Sequence, residues 1–194
     1  AGVNLLYFVG GGLGVAAMAP VIWSRMHDYQ RRRVEIFLDP EKDPLGAGYH
    51  ITQSKIALGS GGTSGKGFMQ GTQSQLNFLP EKHTDFIFTT FAEEWGFTGA
   101  VGLIGLYLLL GLLVLWMAFG CRNQFGRLVT AGAGVIVFVY ALINMAMVMG
   151  LVPVVGVPLP LVSYGGTSMT TIMFAMAIAM CAYVNRTHGI RAGA

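Results

Sequence analysis

WGFTGAVGLIGLYLLLGLLVLWMA, residues 95–118, contains no charged side chain, and a helix of that length is long enough to cross the roughly 30 Å hydrocarbon core of a bilayer. Three further runs have the same character: Val3 to Trp23, Leu128 to Gly150 and Leu161 to Val184. The whole chain agrees with them. Of its residues 54% are hydrophobic and 11% charged, and its mean hydropathy is +0.60, which is too apolar for a soluble domain. The expected fold is all-α, a polytopic membrane helical bundle. Its spans fall at about 3–23, 95–118, 128–150 and 161–184, with a long, partly helical loop over about 24–85. The first run is not a secretory signal, since no basic stretch precedes it and no cleavage pattern follows. With no initiator Met either, residues 1–194 read as the C-terminal part of one integral membrane domain.

Short loops set the orientation, because Lys and Arg are retained on the cytoplasmic side while long loops are exempt. The 119–127 connection carries Arg122 and Arg127 without an acid, the tail carries Arg186 and Arg191, and 151–160 carries no charge. The C-terminus and the 119–127 connection are therefore expected in the cytoplasm, and the 24–85 loop outside. That loop holds eight of the twelve Lys and Arg, offset by seven acids. Cys121 and Cys181 fall near the inner ends of their spans, in a reducing compartment where no disulfide is expected. Gly10, Gly14, Gly99, Gly102 and Gly105 read as small residues that let helices approach closely in lipid.

A loop of this length is usually functional. Its first part, Arg25 to Leu38, combines Arg31, Arg32 and Arg33 with Val34, Phe37 and Leu38, the pattern of a helix lying in the membrane interface. Guanidinium groups there would reach phosphate bidentately, and a solvated, headgroup-anchoring face fits the same residues. Pro40, Pro44, Gly46 and Gly48 mark a turn before a second helix at Tyr49 to Leu58. GSGGTSGKG, Gly59 to Gly67, departs from a phosphate loop, whose first glycine is here Ser60 and whose Ser or Thr after Lys66 is here Gly67. An anion-holding backbone nest beside Lys66 and a plain flexible turn both fit.

Directly before the first quoted run stands LPEKHTDFIFTTFAEE, Leu79 to Glu94, where acidic and imidazole groups at a bilayer's edge are candidates for chemistry. Pro80 suits the first turn of a helix, which is predicted from near Glu81 through Phe119 and is too long for one span. On such a helix Asp85, Thr89 and Glu93 share a face. Positions 85 and 93 would lie about 12 Å apart along the axis, wider than the roughly 5 to 10 Å of paired glycosidase carboxylates. A single carboxylate base assisted by cations or a metal fits better. Asp85 as a catalytic group and Asp85 as a helix cap both satisfy the pattern.

Longer motifs add a family. DPLGAGYHITQSKIALGSGG (Asp43 to Gly62), GKG at 65–67, GTQSQLNFLPEKHTDFIF (Gly71 to Phe88) and EEWG at 93–96 form one set. Asn144 and, after five intervening residues, GLVPVVGVPLPLVSYGGTS (Gly150 to Ser168) form a second. Together they resemble the shape, elongation, division and sporulation family of bacterial cell-wall proteins over essentially the whole chain. GTQSQLNFLPE is similar to the rod-shape branch, since the division branch typically has an arginine-containing segment before LPE.

The resemblance implies a longer peptidoglycan glycosyltransferase, a lipid II polymerase of cell-wall elongation and rod-shape maintenance, whose last four spans this chain would hold. It implies the bacterial cytoplasmic (inner) membrane, with the active-site loop extracytoplasmic. A glycan on polyprenyl diphosphate would be the donor, and the 4-hydroxyl of lipid II would attack its anomeric carbon. Asp85 matches the family's catalytic aspartate, and its role would be to deprotonate or orient that hydroxyl or to hold a divalent cation, magnesium or manganese. The leaving diphosphate needs charge neutralisation, and Arg31, Arg32, Arg33, Lys66 and Lys82 are the basic candidates. His83 fits an orienting hydrogen-bond partner or a structural histidine. The uncharged turn from Pro153 to Gly166 suits a re-entrant segment packing the last two spans, with Ser163 and Tyr164 lining a lipid path as the other reading. A class B penicillin-binding protein and the membrane are the expected partners, and no nucleic acid is. The alternatives are a flippase for a lipid-linked precursor, disfavoured because no acid sits within a span, and a scaffold for the penicillin-binding protein.

Overall fold

A computed structural model describes residues 4–43, 46–75 and 83–186, among which every regular element is a helix. In chain order these are α1 (Leu5–Arg25), α2 (Asp28–Leu38), a 3-10 turn at Pro40–Lys42, α3 (Ala47–Ser60), the short α4 (Thr72–Gln75), α5 (Ile87–Gly120), α6 (Gln124–Val148) and α7 (Gly166–Val184). Four of them, α1, α5, α6 and α7, are long and apolar enough to cross a membrane. Local chemistry starts them where the sequence allows: Asn4 Oδ1 accepts from Leu6 N, and Asn123 Oδ1 from Phe125 N, each at 3.1 Å, the usual side-chain cap for an otherwise unpaired first-turn amide.

Two of the boundaries that differ from the sequence expectation bear on the site. The helix expected from near Glu81 begins at Ile87, after a turn at 83–86, and residues 81 and 82 lie outside the described residues. The carbonyls of that turn are taken up by a distant segment, so the helical register starts later. Asp85 consequently does not share a helix face with Thr89 and Glu93. The last span, expected from Leu161, begins at Gly166. Leu161 itself has φ +63°, and Ser163 and Tyr164 are tied across to the 83–86 turn, which leaves an apolar but non-helical stretch before the helix.

α5 is broken at Gly96, whose φ of 68° and ψ of −165° no helix can hold. A break in a helix leaves donors and acceptors that must find other partners, and here the glycine loop supplies them. Lys66 N donates to Glu93 O at 3.1 Å and Gly67 N to Glu94 O at 3.0 Å, while Phe97 N donates to Gly62 O at 2.9 Å and Thr98 N to Thr63 O at 3.2 Å. A Cβ on Gly96 would overlap the amide of Gly65, and one on Gly65 would overlap the carbonyl of Glu94. The loop is therefore a docked backbone interlock, not a plain flexible turn. The portion of α5 before Gly96 is separated from the apolar run after it, as its length required.

α6 is the central helix, packed against both α5 and α7; 44% of its apolar stretch is buried, against none for α1. Phe86, Phe88, Tyr107, Met147 and Leu159 sit in one buried cluster beneath the 83–86 turn, and Ser54, Thr89 and Val148 O form a buried hydrogen-bonded link between α3, α5 and α6. The expected close approaches at glycine are made elsewhere. A Cβ on Gly10, Gly14, Gly102 or Gly105 would meet nothing within 4 Å, whereas one on Gly134 of α6 would stand 2.7 Å from Val114 Cγ1 of α5.

Candidate functional site

The backbone around Asp85 is held by distant segments. Three successive carbonyls of the turn each accept a hydrogen bond from α6 or from the segment before α7. His83 O accepts from Tyr164 N at 2.9 Å, Thr84 O from Ser163 Oγ at 2.6 Å, and Asp85 O from Asn144 Nδ2 at 2.8 Å. Asn144 Nδ2 donates at the same time to Val157 O at 2.6 Å, and Ser163 Oγ accepts from Leu159 N at 2.7 Å. Asn144 is fully buried and Ser163 is 5% exposed, so no water competes for these bonds.

The half-buried carboxylate lies against Gly156, where an added Cβ would stand 3.2 Å from Asp85 Oδ2. Gly156 has φ +79°, a conformation that favours glycine. Both flanks of this glycine are fastened. Arg33 Nη1 donates to Val154 O at 3.0 Å and Val155 O at 3.2 Å, and Asn144 holds Val157. The Pro-rich segment thus packs α6 and α7, as one reading of the sequence held, and also forms a wall beside Asp85. Tyr164, 82% exposed, contributes its amide.

The basic candidates do not form one cluster. Arg31 donates through Nε to Trp23 O at 3.0 Å and through Nη2 to Ser24 O at 2.8 Å, closing the end of α1. Arg32, with its side chain 66% exposed, stands 3.6 Å from Asp43 Oδ1. Arg33 reaches the Gly156 segment. Adjacent residues of a helix point roughly 100° apart, which is why three arginines in a row serve three places. Lys66 Nζ is 2.8 Å from Glu93 Oε1, and that oxygen also accepts from Thr72 Oγ1 at 3.2 Å and Gln73 N at 3.0 Å. Glu93 is fully buried, and a buried carboxylate needs such partners. His83 is exposed and holds its place through its carbonyl. Lys82 lies outside the described residues.

A resident metal centre would need several converging ligands. Among the described residues no three His, Cys, Asp or Glu side chains gather, so magnesium or manganese at Asp85 would have fewer than three such protein ligands and would be completed by phosphate oxygens and water. The residues that sequence reading left without a role here are Asn144 and Gly156. A signal for Asn144 was present: a polar side chain inside an apolar span must find hydrogen-bond partners. Gly156 lies within the Gly150 to Ser168 motif, but nothing local marks it, one glycine among 28, as the residue beside Asp85.

Comparison with known proteins adds four findings. The family model described as a cell cycle protein and covering FtsW, RodA and SpoVE matches residues 1–188. The chain is 56% identical over 173 residues to the peptidoglycan glycosyltransferase MrdB of Escherichia coli strain K12, covering 89% of this chain and 47% of that protein. It is 45% identical over 168 residues to the peptidoglycan glycosyltransferase RodA of Treponema pallidum, covering 87% and 37%. The chain thus spans about half the length, or less, of these curated relatives. Among solved structures, a peptidoglycan synthase complex described as coordinating polymerization and crosslinking superposes with a TM-score of 0.76 at 32% identity, over 94% of this chain and 50% of that one.

Proposed function

The chain belongs to the FtsW, RodA and SpoVE family of cell cycle proteins, and on that premise we propose that it forms the catalytic part of a peptidoglycan glycosyltransferase that polymerises lipid II. The observation that carries this reading is Asp85, a carboxylate at the loop end of the bundle whose three neighbouring carbonyls are fixed by α6 and the 150–165 segment. A base on a rigid scaffold can be held at the geometry that proton transfer requires.

In the proposed reaction the 4-hydroxyl of lipid II attacks the anomeric carbon of a glycan carried on polyprenyl diphosphate. A bond forms between that hydroxyl oxygen and the anomeric carbon, the bond from the same carbon to the diphosphate oxygen breaks, and Asp85 takes the hydroxyl proton. The departing diphosphate carries the electron pair. Arg32, exposed beside Asp43, is the arginine of the three whose guanidinium is least committed to backbone, and it is our candidate for binding that charge. Arg31, Arg33 and Lys66 would act mainly through the field of charges already held in place, and His83 through the turn it anchors. When bound, magnesium or manganese would neutralise charge on the diphosphate with Asp85 as its protein ligand.

We infer that the 24–85 loop lies outside the bacterial inner membrane and the C-terminus in the cytoplasm. The support is the basic 119–127 connection and tail. A class B penicillin-binding protein is proposed as the partner that crosslinks the emerging strand, a reading supported by the superposition on a synthase complex.

The test is Asp85→Asn in the full-length protein, assayed with purified lipid II. Asparagine keeps the shape but cannot take the proton and is a poorer cation ligand. Polymer formation is expected to fall at least a hundredfold with expression and partner association intact. Near-normal polymer from the variant would instead favour the scaffold or flippase.

A further inference from the structure

We propose that Asn144 is a positioning residue for Asp85, acting as a two-pronged donor that locks the base to the wall it faces. This rests on the glycosyltransferase reading above. The amide nitrogen Nδ2 bonds both Asp85 O (2.8 Å) and Val157 O (2.6 Å). Gly156, the residue beside Val157, is the one whose added Cβ would stand 3.2 Å from Asp85 Oδ2. One side chain on α6 therefore bridges the carboxylate-bearing residue itself and the residue next to Gly156, at the end of a contact that Ser163 and Tyr164 hold only at Thr84 and His83. Both of its N–H groups are used, and Asn144 Oδ1 is buried with no protein partner. The site uses asparagine as a double donor, since a buried amide oxygen without a partner is a cost that a residue retained only for packing would avoid.

The same pattern separates Asn144 from its neighbours. Ser163 joins Thr84 O to Leu159 N and Arg33 fixes Val154 and Val155, but among these three side chains only Asn144 bonds the carbonyl of Asp85 itself together with that of Val157, next to Gly156. Loss of it would leave the turn tied to the segment at His83 and Thr84 but release the Asp85 end, so that the carboxylate could shift against Gly156. Misplacement by about 1 Å costs on the order of a hundredfold in rate even when binding survives.

Two substitutions in the full-length enzyme test this. Asn144→Leu has nearly the same volume with no donor, and Asn144→Ser has one hydroxyl donor, which can serve one of the two carbonyls. We expect kcat for lipid II polymerisation to fall at least tenfold in Asn144→Leu and less in Asn144→Ser, with KM for lipid II within about threefold of the parent. Asp85→Asn serves as the reference background. If Asn144 acts through the base, adding Asn144→Leu to Asp85→Asn lowers residual activity by less than twofold, because the two changes disable one unit. Parent-like kcat in Asn144→Leu overturns the inference, as does a full tenfold loss on top of Asp85→Asn. Should Asn144→Leu fail to fold, kcat of Asn144→Ser decides alone, with parent-like turnover counting against the role. An active Asp85→Asn, by contrast, overturns the glycosyltransferase assignment of Asp85 and is a separate outcome.

Discussion

Gly156 is where a single methyl group should be most informative. Alanine there must adopt φ +79° and place a carbon 3.2 Å from Asp85 Oδ2, so the carboxylate has to move. The expected result for Gly156→Ala is a loss of about 1 to 3 kcal/mol in stability from the backbone alone, seen as a lower melting temperature in detergent. Polymerisation should fall by at least tenfold, and unchanged turnover would show that the wall does not confine the base. A second test separates the arginines. Arg32→Gln should weaken lipid II binding, because an exposed guanidinium loses its charge-assisted bonds. Arg33→Gln should chiefly lower stability, since the carbonyls of Val154 and Val155 lose the donor that fastens the segment beside Asp85. Equal binding losses at positions 31, 32 and 33 would sink the distinction. An acid beside an apolar run is chemically conspicuous in the sequence, but it is the match to the family's motif that singles out Asp85 over Glu93 and Glu94. The separate targets of Arg31, Arg32 and Arg33 are not legible there, because they depend on which distant carbonyls the fold brings near.

At the scale of elements, the break in α5 depends on one ion pair as well as on glycine. Glu93 is fully buried and Lys66 Nζ lies 2.8 Å from it. Removing one partner of a buried pair leaves an uncompensated charge at about 3 to 5 kcal/mol, and Lys66→Met should come near the lower figure because the lysine side chain is itself 26% exposed. Adding Glu93→Gln to Lys66→Met should recover most of the loss. Thermal unfolding of the two variants checks it, and a Lys66→Met protein as stable as the parent would contradict the account. Much of the element order was legible, since uncharged runs bounded by Arg, Pro and Gly mark spans and turns. The break was not. Gly99, Gly102 and Gly105 stand in the same apolar run and remain helical, so nothing local distinguishes Gly96. What does is a loop docked from earlier in the chain, and long-range pairing of that kind leaves no period in the sequence.

For the molecule as a whole, charge in short connections predicts which end faces which compartment. A cysteine placed at Asn123, between Arg122 and Arg127, should react with a membrane-impermeant maleimide only after cells are opened. One placed at Met69, an exposed loop residue, should react in intact cells, and the reverse pattern would invert the proposed topology. The interlock at Gly96 also bears on biogenesis. The loop that completes the break leaves the ribosome before α5 does, so its backbone must already have been delivered to the membrane face where Gly96 will come to rest. Until it docks, the amides of Phe97 and Thr98 and the carbonyls of Glu93 and Glu94 lack the partners that lipid cannot provide. On the proposed topology, translocation of the loop and final seating of the next span form one coupled step, and a cell in which export of the loop lags is expected to hold a half-inserted helix.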